Sequence, residues 1–280
     1  MNTSRRPSGF FHPGEPSEAQ AGVDGVATIQ LELTGPAEFK MLTRLAYQDA
    51  HFDEPFIVPL DPAGFRTDLT SVPPVFQWLV PAIGVHLPAA LIHDGLVLDS
   101  GEPVSHIGPK VTREQADRIF RDGMRDGGTP LIRRWLIWTA VAVATAWAAT
   151  TLRVRWRAAV VLTVGVVTML GVAATLNLFG VWHIVPWMGN RSVAVQLLLG
   201  AAFAVMVPVV LCLLWGRMLR AGLILGWALA FLLHVTAVVA LVLGAYLVLE
   251  RVASLFDHRS PSIRKNLGVA PHSATTSAGD

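Results

Sequence analysis

The chain has 280 residues, 52% of them hydrophobic and only 15% charged, and its mean hydropathy is +0.50. Globular chains carry roughly 25% charged residues, so a simple soluble domain is excluded. The net charge of +2 hides an asymmetry: residues 1–130 hold 17 acids and 10 bases, residues 131–249 hold 8 Arg and no acid, and residues 250–280 hold 3 acids and 4 bases. The pI near 9.0 therefore reflects Arg beside apolar runs and gives no support for nucleic-acid binding. A single cysteine, Cys212 in an apolar run, excludes a disulfide framework and a thiolate metal site.

The first 24 residues read as a disordered leader. They are rich in Pro, Ser and Gly and lack the apolar core of a signal peptide. Residues 25–152 read as a small α+β soluble domain, mainly helical at its site. Residues 26–33 (VATIQLEL) alternate like a strand, and 56–60 form a second strand candidate. Pro88 opens a helix running to about Leu98. Thr112 with Gln115 three residues on is a capping-box pattern, starting a helix to about Arg125 that Gly127-Gly128 ends. Pro130 begins the next helix.

An α-helical transmembrane region is expected over 153–250, followed by a disordered tail over 251–280. Runs 158–179, 193–215 and 223–249 each suffice to cross a hydrocarbon core. A fourth run, 135–152, either spans thinly or covers the soluble domain at the bilayer surface, giving three or four spans. Trp156, Trp182, Trp187 and Trp215 fit an interfacial belt, and the Arg153, Arg155 and Arg157 cluster favours three spans with the domain on the cytoplasmic side. The reading is thus an integral, multi-pass protein. His234 lies mid-span without an acidic partner in any run, which argues against a proton relay. Asn177, Gln196, Pro208 and the Gly222/Gly226 pair read as helix-packing residues.

Residues able to carry chemistry concentrate between 65 and 125. The run 65–73 is Phe-Arg-Thr-Asp-Leu-Thr-Ser-Val-Pro, 91–94 is Leu-Ile-His-Asp, and 116–120 is Ala-Asp-Arg-Ile-Phe. On a helix His93 shares a face with Ala89, Leu96 and Val97, whereas Asp94 points about 100° away. Asp117 stands at the rim of an apolar stripe of Ala116, Phe120, Gly123 and Met124, where an unpaired carboxylate is costly. Antiparallel packing of the two helices lets Asp117 reach His93. That fixes one imidazole tautomer and leaves the other nitrogen to take a proton from water. Asp94 joins Asp68 as a pair of hard oxygen ligands for Ca²⁺ or a similar cation.

Each residue also has a purely structural reading. His93 can be a hydrogen-bonded core residue, Asp68 a turn or cap residue, and Asp117 a partner of Arg113 or Arg121 on its own helix. Both readings stay open. His51, His86 and His106 show no spacing that suits a metal phosphohydrolase.

Taken together, Phe65 to Pro73, His93-Asp94 and Ala116 to Phe120 resemble a small domain family of bacteria and tailed phages, domain of unknown function 1353. The same segments resemble small microbial secreted phospholipases of the two-helix His-Asp type. That resemblance implies Asp68, the Leu69 carbonyl and Asp94 as Ca²⁺ ligands, His93 as general base and Asp117 as its orienting partner. The pattern departs at Val97, where those phospholipases have Tyr, and in lacking cysteine pairs. Two functions are therefore expected: a membrane-anchored, Ca²⁺-assisted hydrolase of lipid esters reached by the face near Trp78 and Trp135, or a non-catalytic phage- or prophage-type membrane accessory protein. The expected partners are the bilayer and a lipid substrate, with no nucleic acid.

Overall fold

The structure, a computed structural model, describes residues 8–13, 28–35, 38–69, 76–81, 83–97, 105–182, 185–189 and 191–256. Thr70, Ser71, Val72 and Pro73 of the run above lie outside the described residues, as do most of the expected leader and the tail beyond 256. The chain divides into two compact units, 1–236 and 237–280. Within the second, the described residues are the last part of one long helix.

Among the described residues, the N-terminal part of the first unit holds six short strands and three helices. Strands β1 (Gly9–Phe11), β4 (Leu45–Gln48) and β5 (Phe56–Val58) form one antiparallel sheet in the order β1-β4-β5. Strands β2 (Leu31–Leu33), β3 (Phe39–Met41) and β6 (Arg66–Thr67) form the other, in the order β2-β3-β6. Of the expected strand over 26–33, residues 26 and 27 lie outside the described residues and only 31–33 of the remainder form a strand, while the one over 56–60 stops where Val58 meets Pro59. The expected leader is corrected too. Phe10 is buried against Tyr47, with ring centroids 4.8 Å apart, so residues 9–11 belong to the sheet.

Helix α1 (Leu87–Leu96) is buried on almost every side; Leu91 and Ile92 are at most 1% exposed. Helix α2 (Arg113–Asp126) carries the predicted capping box: Gln115 N–H donates to Thr112 Oγ1 at 3.3 Å and Thr112 N–H to Gln115 Oε1 at 2.8 Å. Its inward face, Ala116, Ile119, Phe120, Gly123 and Met124, is buried. Helix α3 (Leu131–Ala148) starts after Pro130 and packs Ile137 into the same core. The fourth apolar run therefore covers the domain and does not join the membrane-length set.

Two helical segments are long and apolar enough to cross a membrane, Arg153–Leu178 and Val193–Leu255, in place of the expected three or four. The first is helix α4 (Arg153–Leu178). The second contains both remaining runs, as helix α5 (Val193–Leu211), a 3₁₀ segment (Cys212–Met218) and helix α6 (Leu219–Phe256). Gly216 breaks it with φ 48° and ψ −115°, a backbone conformation that glycine adopts without steric cost. The two arms pack where Trp227 Nε1–H donates to the Val205 carbonyl at 3.2 Å. Gly226 faces Pro208 at that contact, where an added Cβ would come within 2.6 Å of the proline.

His86, at the start of α1, is fully buried, and neither ring nitrogen makes a hydrogen bond of acceptable geometry. Burial first, and the Arg133 guanidinium second, push its pKa below the ordinary value of 6.5, with the Pro81 backbone weakly opposing. The neutral ring thus stabilises the fold fully above about pH 6.5, and that stability is lost as pH falls from there toward the lower folded value. His86→Phe is expected to flatten the decline in melting temperature as pH falls below about 6.5. An unchanged slope in the variant would show that His86 is not its source.

Candidate functional site

Two short side chains set the spacing of α1 and α2. An added Cβ on Gly123 would stand 3.4 Å from Ala89 Cβ and 3.2 Å from the Phe10 ring, so the helices approach closely there. The helices run antiparallel, so one turn from Ala89 along α1 leads to His93, and two turns back from Gly123 along α2 lead to Asp117. His93 Nε2 lies 2.9 Å from Asp117 Oδ1. The side chains are 11% and 5% exposed, and the Phe120 ring packs 5.0 Å from the imidazole.

The pair is chemically asymmetric. A carboxylate only accepts, so Nε2 carries the proton donated to Asp117 and, in the neutral ring, Nδ1 bears the lone pair. Asp117 Oδ2 is buried without a hydrogen-bond partner. Asp117 does not pair with Arg121, whose guanidinium is taken by Asp122 at 2.9 Å; Arg113 donates to Thr145 Oγ1 at 3.2 Å. The helix-internal reading of Asp117 gives way to the pairing across helices, because Asp117 lies on the buried face and the arginines on the wetter flank.

Thr67 ties the 65–69 segment to α1. Its hydroxyl donates to Asp94 Oδ2 at 2.7 Å and accepts the Leu69 N–H at 2.9 Å. Leu69 has φ 67°, an uncommon conformation for a leucine. Asp68 is exposed, and both Asp68 and Asp94 make further interactions. The donor set offers two carboxylates and the carbonyl of Leu69, all hard oxygens that suit Ca²⁺. A cation there has to compete with the Thr67 hydroxyl for Asp94.

A second cluster escaped the sequence reading. Asp49, His51 and Asp122 bring one ligand atom each within 4.8 Å of one another. Arg118 already fills that space: its Nη1 lies 3.1 Å from Asp49 Oδ2, 3.2 Å from Asp122 Oδ2 and 2.9 Å from His51 Nδ1, and its Nη2 lies 3.2 Å from Asp49 Oδ1. A guanidinium so placed supplies the positive charge a metal would bring. The cluster is an ion network that fastens β4 to α2. The Arg118–Asp122 spacing of four residues was visible in the sequence, but the approach of Asp49 was not. Close by, the Tyr47 hydroxyl donates to Asp126 at 2.8 Å, and burial, followed by that carboxylate, pushes its pKa far up.

The soluble part also touches the apolar helices. Ala142 and Ala146 of α3 pack with Trp156, Ala159, Trp215 and Ala221. Trp215 is fully buried and donates to Thr163 Oγ1 at 3.0 Å, and Arg217 pairs with Glu114 in the first turn of α2.

Residues 39–141 match the model of a family described as a protein of unknown function, DUF1353. The match holds Asp68, Leu69, His93, Asp94 and Asp117 but covers little more than a third of the chain. No curated protein and no solved structure matches it.

Arg118→Met would leave Asp49, which is 1% exposed, without its cation. Loss of one partner from a largely buried ion pair costs about 3–5 kcal/mol, and the quarter exposure of Arg118 sets the expectation near about 3 kcal/mol. Urea unfolding of the full chain reads this directly; a loss under about 1 kcal/mol would mean that the network is solvated.

Proposed function

We propose that residues 39–141 carry a His-Asp hydrolase site that acts on lipid esters at a bilayer surface, anchored by the apolar helices. The observation that supports it best is the buried His93–Asp117 pair, which presents one imidazole nitrogen as a base and holds the other. A water molecule hydrogen-bonded to His93 Nδ1 loses its proton there as its oxygen attacks the ester carbonyl carbon. The acyl–oxygen bond then breaks, and the imidazolium returns the proton to the departing alkoxide, giving one acid and one alcohol. Asp117 keeps the ring in one orientation and offsets its transient positive charge. Asp68, Leu69 and Asp94 would hold Ca²⁺, which when bound polarises an ester carbonyl.

The membrane placement rests on composition and exposure. In the most apolar windows of the two long segments only 22% and 11% of residues are buried, unlike a core helix of a soluble protein. Arg155 and Arg217 lie over the Trp156 ring and Arg157 over Trp147, each within 5.8 Å, forming an Arg-Trp girdle at the end facing the soluble part. Such a girdle suits the headgroup level. On this reading the soluble part and the 212–218 turn share one side of the bilayer, the cytoplasmic one by the Arg count. Exposed Phe76, Trp78, Ile83 and Val85, ahead of α1, offer an apolar surface to lipid.

The purified full chain in vesicles of a short-chain phosphatidylcholine should release fatty acid, faster with added Ca²⁺. His93→Ala should abolish release, and Asp117→Asn should lower it on the order of 10²-fold or more, each measured on variant protein that still melts cooperatively in detergent. Release by His93→Ala equal to that of the natural chain contradicts the assignment. Absence of release from every form, with no thermal shift on adding Ca²⁺, supports the accessory-protein reading instead.

A further inference from the structure

The apolar helices line a half-open cavity of about 480 Å³, remote in the fold from the His93 site and unrelated to it. This is within the roughly 300–1,000 Å³ of small-ligand sites. Its walls come from α4, α5, the first part of α6 and the 187–188 turn, and are almost entirely aliphatic, with Phe203 and Trp187 stacked at 4.2 Å. The polar side chains lining it are Thr175, Gln196 and His234, beside the indole N–H of Trp187, and no acid does.

The hydrogen bonds of these three decide what else the cavity accepts. Thr175 Oγ1 lies 2.8 Å from the Gly171 carbonyl, which can only accept, so the single hydroxyl proton is committed there. The same oxygen lies 2.6 Å from His234 Nε2 and must accept, so Nε2 carries the ring proton. The neutral ring then has its lone pair on Nδ1, for which the described residues supply no hydrogen bond. Gln196 is partly committed, donating one amide hydrogen to the Arg191 carbonyl at 2.8 Å and accepting from Asn177 at 3.2 Å. The cavity thus offers one free acceptor, His234 Nδ1, beside the Trp187 indole N–H and the second amide hydrogen of Gln196. An ester or a quinone can meet those donors but leaves His234 Nδ1 without a partner, whereas a carboxylic acid also supplies a proton to it.

We propose that this cavity binds a long-chain fatty acid, its alkyl chain among the aliphatic walls and its carboxyl proton on or toward His234 Nδ1. The bond is charge-assisted if the proton moves, which favours an acid over an alcohol. The inference does not rest on the hydrolase reading, since none of its residues belongs to the His93 site.

The test is equilibrium binding of radiolabelled palmitic acid to the full chain in lipid nanodiscs, with binding to empty nanodiscs subtracted and methyl palmitate as competitor. Palmitic acid is expected to bind at least about tenfold more tightly than its methyl ester, as the loss of one such hydrogen bond predicts. His234→Phe should remove that preference. Thr175→Val, which frees the ring to place its proton on Nδ1, should narrow it while keeping the acid bound. Equal binding of acid and ester by the natural chain overturns the proposal without recourse to any variant, and so does an undiminished preference in a folded His234→Phe.

Discussion

A carboxylate buried between two helices has to be satisfied, and the contact of Asp117 with His93 meets that demand. Placing Asp117 at 3% exposure is tolerable only because His93 stands 2.9 Å away. The rest of the soluble part follows from holding that contact. Gly123 and Ala89 bring the helix axes close, the Thr112 capping box sets where α2 begins, and the Arg118 network fastens α2 to β4 from the other side. Thr67 then ties a neighbouring segment to Asp94, one residue from the histidine. A site forms where three elements have little freedom left.

The apolar half obeys a different rule. With no carboxylate between residues 131 and 249, several of its polar side chains bond to one another in short links: Trp215 to Thr163, Asn177 to Gln196, His234 to Thr175. Each link joins different helical segments. A pairing of opposite charges, Arg217 with Glu114, reaches from the 212–218 turn to α2. Arg and Trp side chains collect at that end, where a headgroup layer would meet the soluble part.

Much of this was legible in the residues, for local reasons. Helix α2 could be read because its start signal and its apolar stripe are encoded within fourteen residues. The His93–Asp117 contact could be read because a buried carboxylate implies a partner and helix faces restrict the choice. The four strands β1, β3, β4 and β6 could not: at two to four residues each they are too short for an alternating pattern, and their pairing joins residues as distant as Phe10 and Tyr47. Nor could Asp49 be assigned to Arg118, 69 positions on. The count of membrane-length segments failed for a related reason, because a bend at one glycine, Gly216, leaves two runs within a single helical stretch.

The central claim is that His93 is held with its proton on Nε2, toward Asp117, and its lone pair on Nδ1. Nitrogen-15 NMR of the full chain, with histidine labelled and His93 assigned by its Gln variant, measures this at about pH 8, where an ordinary histidine is neutral. A protonated Nε2 and a bare Nδ1 are expected, with Asp117→Leu mixing the two tautomers. A ring protonated at Nδ1 in the natural chain would contradict it, because the nitrogen assigned to the water would then already hold a proton.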